Sequence, residues 1–314
     1  MCCGVIEVII MECYEFSFSA MGSNCELKLY ASNRRHAREI AQIAIDSVIR
    51  LEQRYSRYLK QNIMEDINRI ANVGGIIEVD QETSALLDYA DTCFNYSDGL
   101  FDITSGILRK AWDFKSRVLP KKEDVDELLT HVGWDKVSWR SPELSFQCEG
   151  MELDFGGIVK EYAADQCATK CLEGDIGHGL INLGGDIRII GPHPSGHPWL
   201  IGIRHPRDKT NYIQRVELTQ GGICSSGDYE RCINIDNRYF NHILNPKTGW
   251  PVNGLASVTA IADYCLVAGS ISTIAMLKEE EGKEWLQNNG LRAYWIDVDE
   301  NYGYSSPDMK EQYI

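Results

Sequence analysis

One stretch constrains this chain more than any other: Leu153-Asp154-Phe155-Gly156-Gly157-Ile158-Val159-Lys160-Glu161-Tyr162-Ala163-Ala164-Asp165. A short apolar approach ends on a carboxylate and breaks into a glycine pair. An amphipathic helix follows, with Lys160 in its first turn. Glycines let the backbone come close to a bulky anion. The helix start offers unpaired N–H groups and a positive dipole end, and the lysine adds a full charge. A phosphate or pyrophosphate fits such a place. Asp154 beside it is repulsive unless it holds a metal ion or accepts hydrogen bonds from a ribose or base, so a nucleotide uses both groups.

The rest of the chain supplies a frame without a regular rhythm. Cys25 to Tyr30 alternates as a half-buried strand, and Ser32 or Asn33 caps a long helix striped by Ile40, Ala41, Ala44, Ile45, Val48 and Ile49. That helix runs out in Tyr55-Ser56-Arg57-Tyr58, either a solvated end or part of a ligand site. A second helix over 82–96 stops at Asp98-Gly99, and Thr104 or Ser105 is expected to cap a short helix to Trp112, leaving Phe101 and Asp102 in a loop able to grip a ligand. A short acidic helix over 122–130 precedes strands at 136–139 and 144–148. Asn182-Leu183-Gly184-Gly185-Asp186 breaks two further strands with another glycine pair. Strands at 199–204, 257–261 and 293–298 and an apolar helix over 266–278 complete the pattern, with residues 1–13 and 301–314 read as terminal extensions. There is no steady βαβ alternation, no G-x-G-x-x-G and no Walker A sequence. The expectation is a single mixed α+β domain with antiparallel-rich sheets flanked by helices.

Composition excludes several classes. The 314 residues are 44% hydrophobic and 25% charged, far from a disordered chain. A net charge of −15 provides no basic stripe for nucleic acid or an anionic membrane. The 11 cysteines are odd in number, irregularly spaced and free of C-x-x-C. They read as buried reduced thiols in a reducing compartment, the cytoplasm. The apolar residues before Tyr14 lack a basic leader and are interrupted by Glu7, so neither a signal peptide nor a membrane anchor is expected.

Two tempting motifs fail on spacing. G-x-S-x-G counted from Gly222 puts Cys224 at the serine position, and His193 with His197 has no third ligand nearby. His242 is isolated before a Pro-to-Gly turn, where a structural role competes with a catalytic one.

Taken in order, Ser19-Ala20-Met21-Gly22-Ser23, Tyr55 to Tyr58, Phe101-Asp102-Ile103-Thr104, Asp154 to Asp165, Asn182 to Asp186, Ser226-Gly227-Asp228-Tyr229, His242-Ile243-Leu244-Asn245-Pro246 and Ala268 to Thr273 resemble the ApbE family of FAD:protein FMN transferases. The resemblance implies FAD as a substrate, whose FMN half passes to a threonine or serine hydroxyl of a partner protein with release of AMP. It implies an FAD pocket lined by Met21, Tyr58, Leu100, Phe101, Asp102, Asp154, Lys160 and Ile243. Lys160 would steady the pyrophosphate, and His242 or an acidic neighbour would take the hydroxyl proton. It also implies Mg²⁺ near the Gly157 carbonyl, Ser272 and Thr273. The family's metal-binding aspartate is Gly269 here. Glu161 and Asp263 are candidate substitutes, although Glu161, next to Lys160 on the helix, is expected to face another way. Three activities follow as alternatives: transfer, hydrolysis of FAD to FMN and AMP, and FAD binding without catalysis.

Overall fold

The computed structural model describes residues 11–306 except 116–117, 209, 230–231 and 236–237, together with residue 309. Its frame is an eight-stranded antiparallel sheet assembled from both ends of the chain. Strands β1 (Glu12–Ala20) and β2 (Ser23–Ala31) form a hairpin whose two-residue loop, Met21-Gly22, has φ of 53° and 68°. Positive φ at both positions gives the turn whose twist matches the flanking strands.

Helix α1 (Arg34–Tyr55) follows, capped by the Asn33 side chain, which accepts from His36 N. Between α1 and the next part of the large sheet lies an insertion. It comprises α2 (Ile63–Val73), β3 (Gly75–Glu78), α3 (Gln81–Tyr96), a 3₁₀ segment (Ile103–Lys110), α4 (Lys122–Leu129), β4 (Val137–Arg140) and β5 (Glu143–Phe146), with the strands paired in the order β3-β5-β4.

Helix α5 (Val159–Glu173) then leads into β6 (Gly179–Leu183) and β7 (Asp186–Gly191) of the large sheet. A separate hairpin, β8 (Trp199–Arg204) with β9 (Tyr212–Leu218), precedes β10 (Gly221–Gly227). The small pair β11 (Cys232–Ile235) and β12 (Arg238–Asn241) comes before β13 (Leu255–Ala262). Helix α6 (Cys265–Leu277), helix α7 (Gly282–Asn288), β14 (Arg292–Asp297) and β15 (Tyr302–Tyr304) end the described chain.

Alternation along the strands explains why the large sheet is buried on both faces. Val258 and Ala260 of β13 join the main core with Leu27, Leu29, Ala163, Ala164 and Ala268, whereas Ile261 joins a second core with Ile189, Ile201, Val216 and Ile223. Successive strand residues point to opposite faces, so the helices cover one face and the β8–β9 hairpin covers the other. Small residues on α1 (Ala37, Ala41, Ala44) and α5 (Ala163, Ala164, Ala168) let α5 lie close between α1 and α6.

Three expectations need correction. The extension expected over 1–13 already contains the start of β1 at Glu12, while residues 1–10 lie outside the described residues. The tail expected from residue 301 includes β15, which pairs with β14 and buries Ser305. The short helix near 104 is capped by Asp102, not by Thr104 or Ser105. Asp102 Oδ1 accepts from Thr104 N at 2.7 Å and from its hydroxyl at 2.6 Å, and Oδ2 accepts from Trp134 N at 2.9 Å.

Candidate active site

The glycine-paired stretch is held from both sides. The Asn68 side chain accepts from Leu153 N at 2.7 Å and donates to Leu153 O at 3.1 Å, and Asp154 N donates to Ile103 O at 2.8 Å. Asp154 Oδ1 accepts from Gly156 N at 3.0 Å, folding the chain into the turn that opens α5. Its other oxygen lies 2.6 Å from Arg57 Nη1. The aromatic and basic cluster after α1 therefore belongs to this site. Gly106 makes the approach possible, since a β-carbon there would collide with Asp154 Cβ. Arg57 also lies over the Tyr58 ring, whose remaining surface is 76% exposed.

Helix α5 has no side-chain cap, so Lys160 supplies the positive charge at its start. Lys160 Nζ lies 2.7 Å from Asp186 Oδ2 at the head of β7, an ion contact that lacks good hydrogen-bond angles. Burial works against the charge on Lys160. The carboxylates of Asp186 and Glu161 outweigh it and raise its pKa above that of an ordinary lysine. Gly184 and Gly185, with φ of 65° and 105°, make the tight turn that presents Asp186, and the Asn182 side chain fixes the turn by accepting from Gly185 N at 2.8 Å.

Glu161, one of the two candidate substitutes for the missing aspartate, is buried against α6. Its side chain packs onto α6, where a β-carbon on Gly269 would lie 2.5 Å from Glu161 Cγ. Burial and the neighbouring Asp186 both push its pKa up. Asp263, the other candidate, is exposed before the first turn of α6.

Asp165, one helical turn beyond Glu161, fixes the two helices together. Its oxygens accept from Cys265 N at 3.0 Å and Leu266 N at 2.9 Å, so a side chain of α5 caps α6, which has no cap of its own. Further along α6, Ser272 Oγ donates to Gly269 O at 2.9 Å and is wholly buried, while Thr273 is half buried. Both hydroxyls meet Ser226 Oγ at the end of β10, at 2.9 and 3.0 Å.

The remaining expected residues divide. The Phe101 ring packs against Gly157, where a β-carbon would stand 3.4 Å from its Cζ. Met21, Leu100 and Ile243 are half buried against the main core, and Met21 N donates to Glu52 Oε1 at 2.6 Å. Leu100 also borders a cavity of about 430 Å³ lined by Asn245, Asn253, Lys278 and Glu279 to Glu281, whose carboxylates suit no pyrophosphate. Asp102 is 7% exposed and its carboxylate is fully engaged within the fold, so it grips no ligand through that group. His242 is exposed in the bend after β12. His193 bonds Tyr30 and Ser195. Arg57, Glu161, Asp165, Asp186 and Ser226 all lie in the quoted motifs, but their roles come from contacts between distant segments.

An antiparallel sheet with α5 and α6 packed side by side on it, Lys160 and Asp186 at one place and the Ser226, Ser272 and Thr273 hydroxyls at another, defines a class of α+β protein whose fold is that of solved ApbE structures. The crystal structure of the ApbE protein from Thermotoga maritima matches with a TM-score of 0.85 and 30% identity over 94% of this chain and 97% of that one. The chain belongs to the ApbE family, whose model matches residues 21–295. It is similar to an FAD:protein FMN transferase from Haemophilus influenzae, 29% identical over 280 residues, covering 85% of this chain and 79% of that one. A second relative of the same name, from Klebsiella pneumoniae, is 29% identical over 306 residues, covering 94% and 92%.

Proposed function

We propose that this protein is an FAD:protein FMN transferase, which moves the FMN half of FAD onto a serine or threonine hydroxyl of another protein. The observation that carries this is the charged Lys160, held by Asp186 below the glycine-paired start of α5 in a chain of the ApbE family. In the reaction the hydroxyl oxygen attacks the phosphorus on the riboflavin side of the pyrophosphate. A P–O bond to that hydroxyl forms, the P–O bond to AMP breaks, and the hydroxyl proton passes to a base.

Stabilising charge and positioning dominate displacement at phosphorus. Lys160 and the N–H groups of the α5 start would hold the pyrophosphate. Tyr58 and Phe101 would offer ring surfaces to the flat parts of FAD, and Met21, Leu100 and Ile243 would close apolar edges around it. Asp154, neutralised by Arg57, would accept from a ribose or base without repelling the phosphates. Asp102 would act by holding the Phe101 loop, and exposed His242 would take the acceptor proton.

Among the described residues no group of three or more His, Cys, Asp or Glu converges to hold a metal. A Mg²⁺ ion would therefore depend on mixed oxygen donors, for which Thr273, Ser272, the Gly157 carbonyl and Glu161 are suitable. Bound there, it would neutralise charge developing on the phosphates. Among the described residues no helix is long and apolar enough to cross a membrane. The free and mostly buried cysteines among them suit a reducing location such as the cytoplasm.

The test is incubation with FAD, Mg²⁺ and an acceptor polypeptide carrying the threonine of a family-type motif. An FMN-sized mass gain on that threonine with one AMP per transfer is expected. AMP without a modified acceptor would replace transfer by hydrolysis, and intact FAD with any divalent ion would refute both.

A further inference from the structure

We propose that Glu161 of α5 supplies the carboxylate of a divalent-cation site between α5 and α6, occupying the space that a side chain on residue 269 would otherwise fill. Three observations on the two helices converge. First, Glu161 is 8% exposed, and its Oε2 is buried with no hydrogen-bond partner. A buried carboxylate oxygen without a partner is destabilising, more so when charged, unless something is bound to it. Second, its side chain runs against the bare backbone of Gly269, where any β-carbon would lie 2.5 Å from Glu161 Cγ and 3.2 Å from Oε1. Position 269 has no side chain because Glu161 fills the space.

Third, the helices have a defined antiparallel register. Asp165 meets Cys265 and Leu266, and Glu161 meets Gly269, so each step of four on α5 answers a step of four on α6. The next step on α6 after Gly269 is Thr273, and Gly157 lies in the turn that precedes α5. Thr273 is half buried, with its hydroxyl 3.0 Å from Ser226 Oγ. A buried carboxylate against Gly269 and a threonine hydroxyl one turn further along α6 thus follow the same seam, with Lys160 and Asp186 beside the carboxylate. Hard oxygen donors with one carboxylate and room for water suit Mg²⁺ or Mn²⁺ rather than a softer ion. Glu161 packs its chain on α6 while its carboxyl stays beside Asp186 and Lys160, so the seam carries two carboxyl groups and one ammonium.

This deepens the transferase proposal and rests on it for the ion's purpose, but it can be tested without turnover. The probe is Mn²⁺ alone, titrated into the full-length protein without FAD and followed by electron paramagnetic resonance, with thermal melting as a check on folding. Wild type is expected to bind one Mn²⁺. Glu161→Gln should weaken binding at least tenfold with little change in melting. Gly269→Asp alone should melt earlier because two side chains compete for one space. The exchange pair Glu161→Gly with Gly269→Asp should restore both melting and Mn²⁺ affinity to within a few-fold of wild type. Wild type without a bound Mn²⁺, or Glu161→Gln within twofold of wild type, would overturn the proposal. Flavin transfer measured in parallel separates the two ideas. Mn²⁺ binding that depends on Glu161 without any transfer sinks only the transferase proposal, and transfer with Mn²⁺ binding indifferent to Glu161 sinks only this one.

Discussion

Asp165 offers the most direct test of how α6 is held. Replacing it with alanine removes the acceptors of Cys265 N and Leu266 N and the ion partner of Arg188, whose Nε lies 3.0 Å from Oδ1. Loss of a helix cap costs about 1 kcal/mol, up to about 2. Breaking a well-formed buried ion pair costs about 3–5 kcal/mol. That full value does not apply here. The Arg188 contact lacks hydrogen-bond angles, and Arg188 keeps the Ile189 carbonyl at 3.0 Å and the Tyr264 ring. A total near 3 kcal/mol is therefore expected, which for a chain of this length lowers the melting temperature by about 5 °C. Urea unfolding should show a lower midpoint with an unchanged slope. Asp165→Asn keeps one acceptor and should lose about half as much. Adding Arg188→Met to Asp165→Ala should return part of the loss by removing the unpaired charge. A loss below about 1 kcal/mol for Asp165→Ala would refute the assignment of α6 capping to α5.

Further expectations concern binding and pH. Tyr58→Ala should weaken FAD binding roughly tenfold, about 1.4 kcal/mol, with no change in urea midpoint because the ring is 76% exposed; calorimetry and unfolding together check this. Arg57→Ala leaves Asp154 without its 2.6 Å partner, so KM for FAD should rise tenfold or more, and adding Asp154→Asn should recover part of it in steady-state assays. Glu82 bridges α3 to α1 through Arg50 at 2.7 and 2.8 Å, and that guanidinium holds its pKa below the ordinary 4.5. With the folded pKa depressed, the unfolded chain binds the proton first, so this stabilisation is full above pH 4.5 and is lost as pH falls through the folded value. The contribution is about 1 kcal/mol for a partly exposed pair. Glu82→Gln should flatten the acid side of the stability profile, and an unchanged profile would exclude the pair as its source.

Periodicity and punctuation made much of this protein legible. The apolar stripe of α1, the β-branched run of β13, the apolar length of α6 and the glycine pairs before α5 and β7 are local signals, and each segment carries its own reason to be helix, strand or turn. Of the terminal strands, β15 was the less legible. β15 is a three-residue edge strand held by pairing with β14, too short for a periodic signal, whereas β1 does alternate, with Tyr14, Phe16, Phe18 and Ala20 packed on the main core and Glu15, Ser17 and Ser19 facing out. The Asp102 cap is itself local, two bonds to Thr104, but Asp102, Thr104 and Ser105 are all good cap residues, and the Trp134 N–H that engages the other Asp102 oxygen comes from a distant segment.

The sequence by itself determined the family and the α+β character, because these depend on residue types in fixed local order, and from the same order it proposes Gly156, Gly157 and Lys160 as an anion site. Only the tertiary structure decided what completes the site. It placed Arg57 on Asp154, Asp186 on Lys160 and Glu161 on Gly269. The physical reason is that burial and partnership belong to pairs of segments: a glutamate beside a lysine and a glycine more than a hundred residues later look unrelated until two helices pack and one side chain fills the space left by the other.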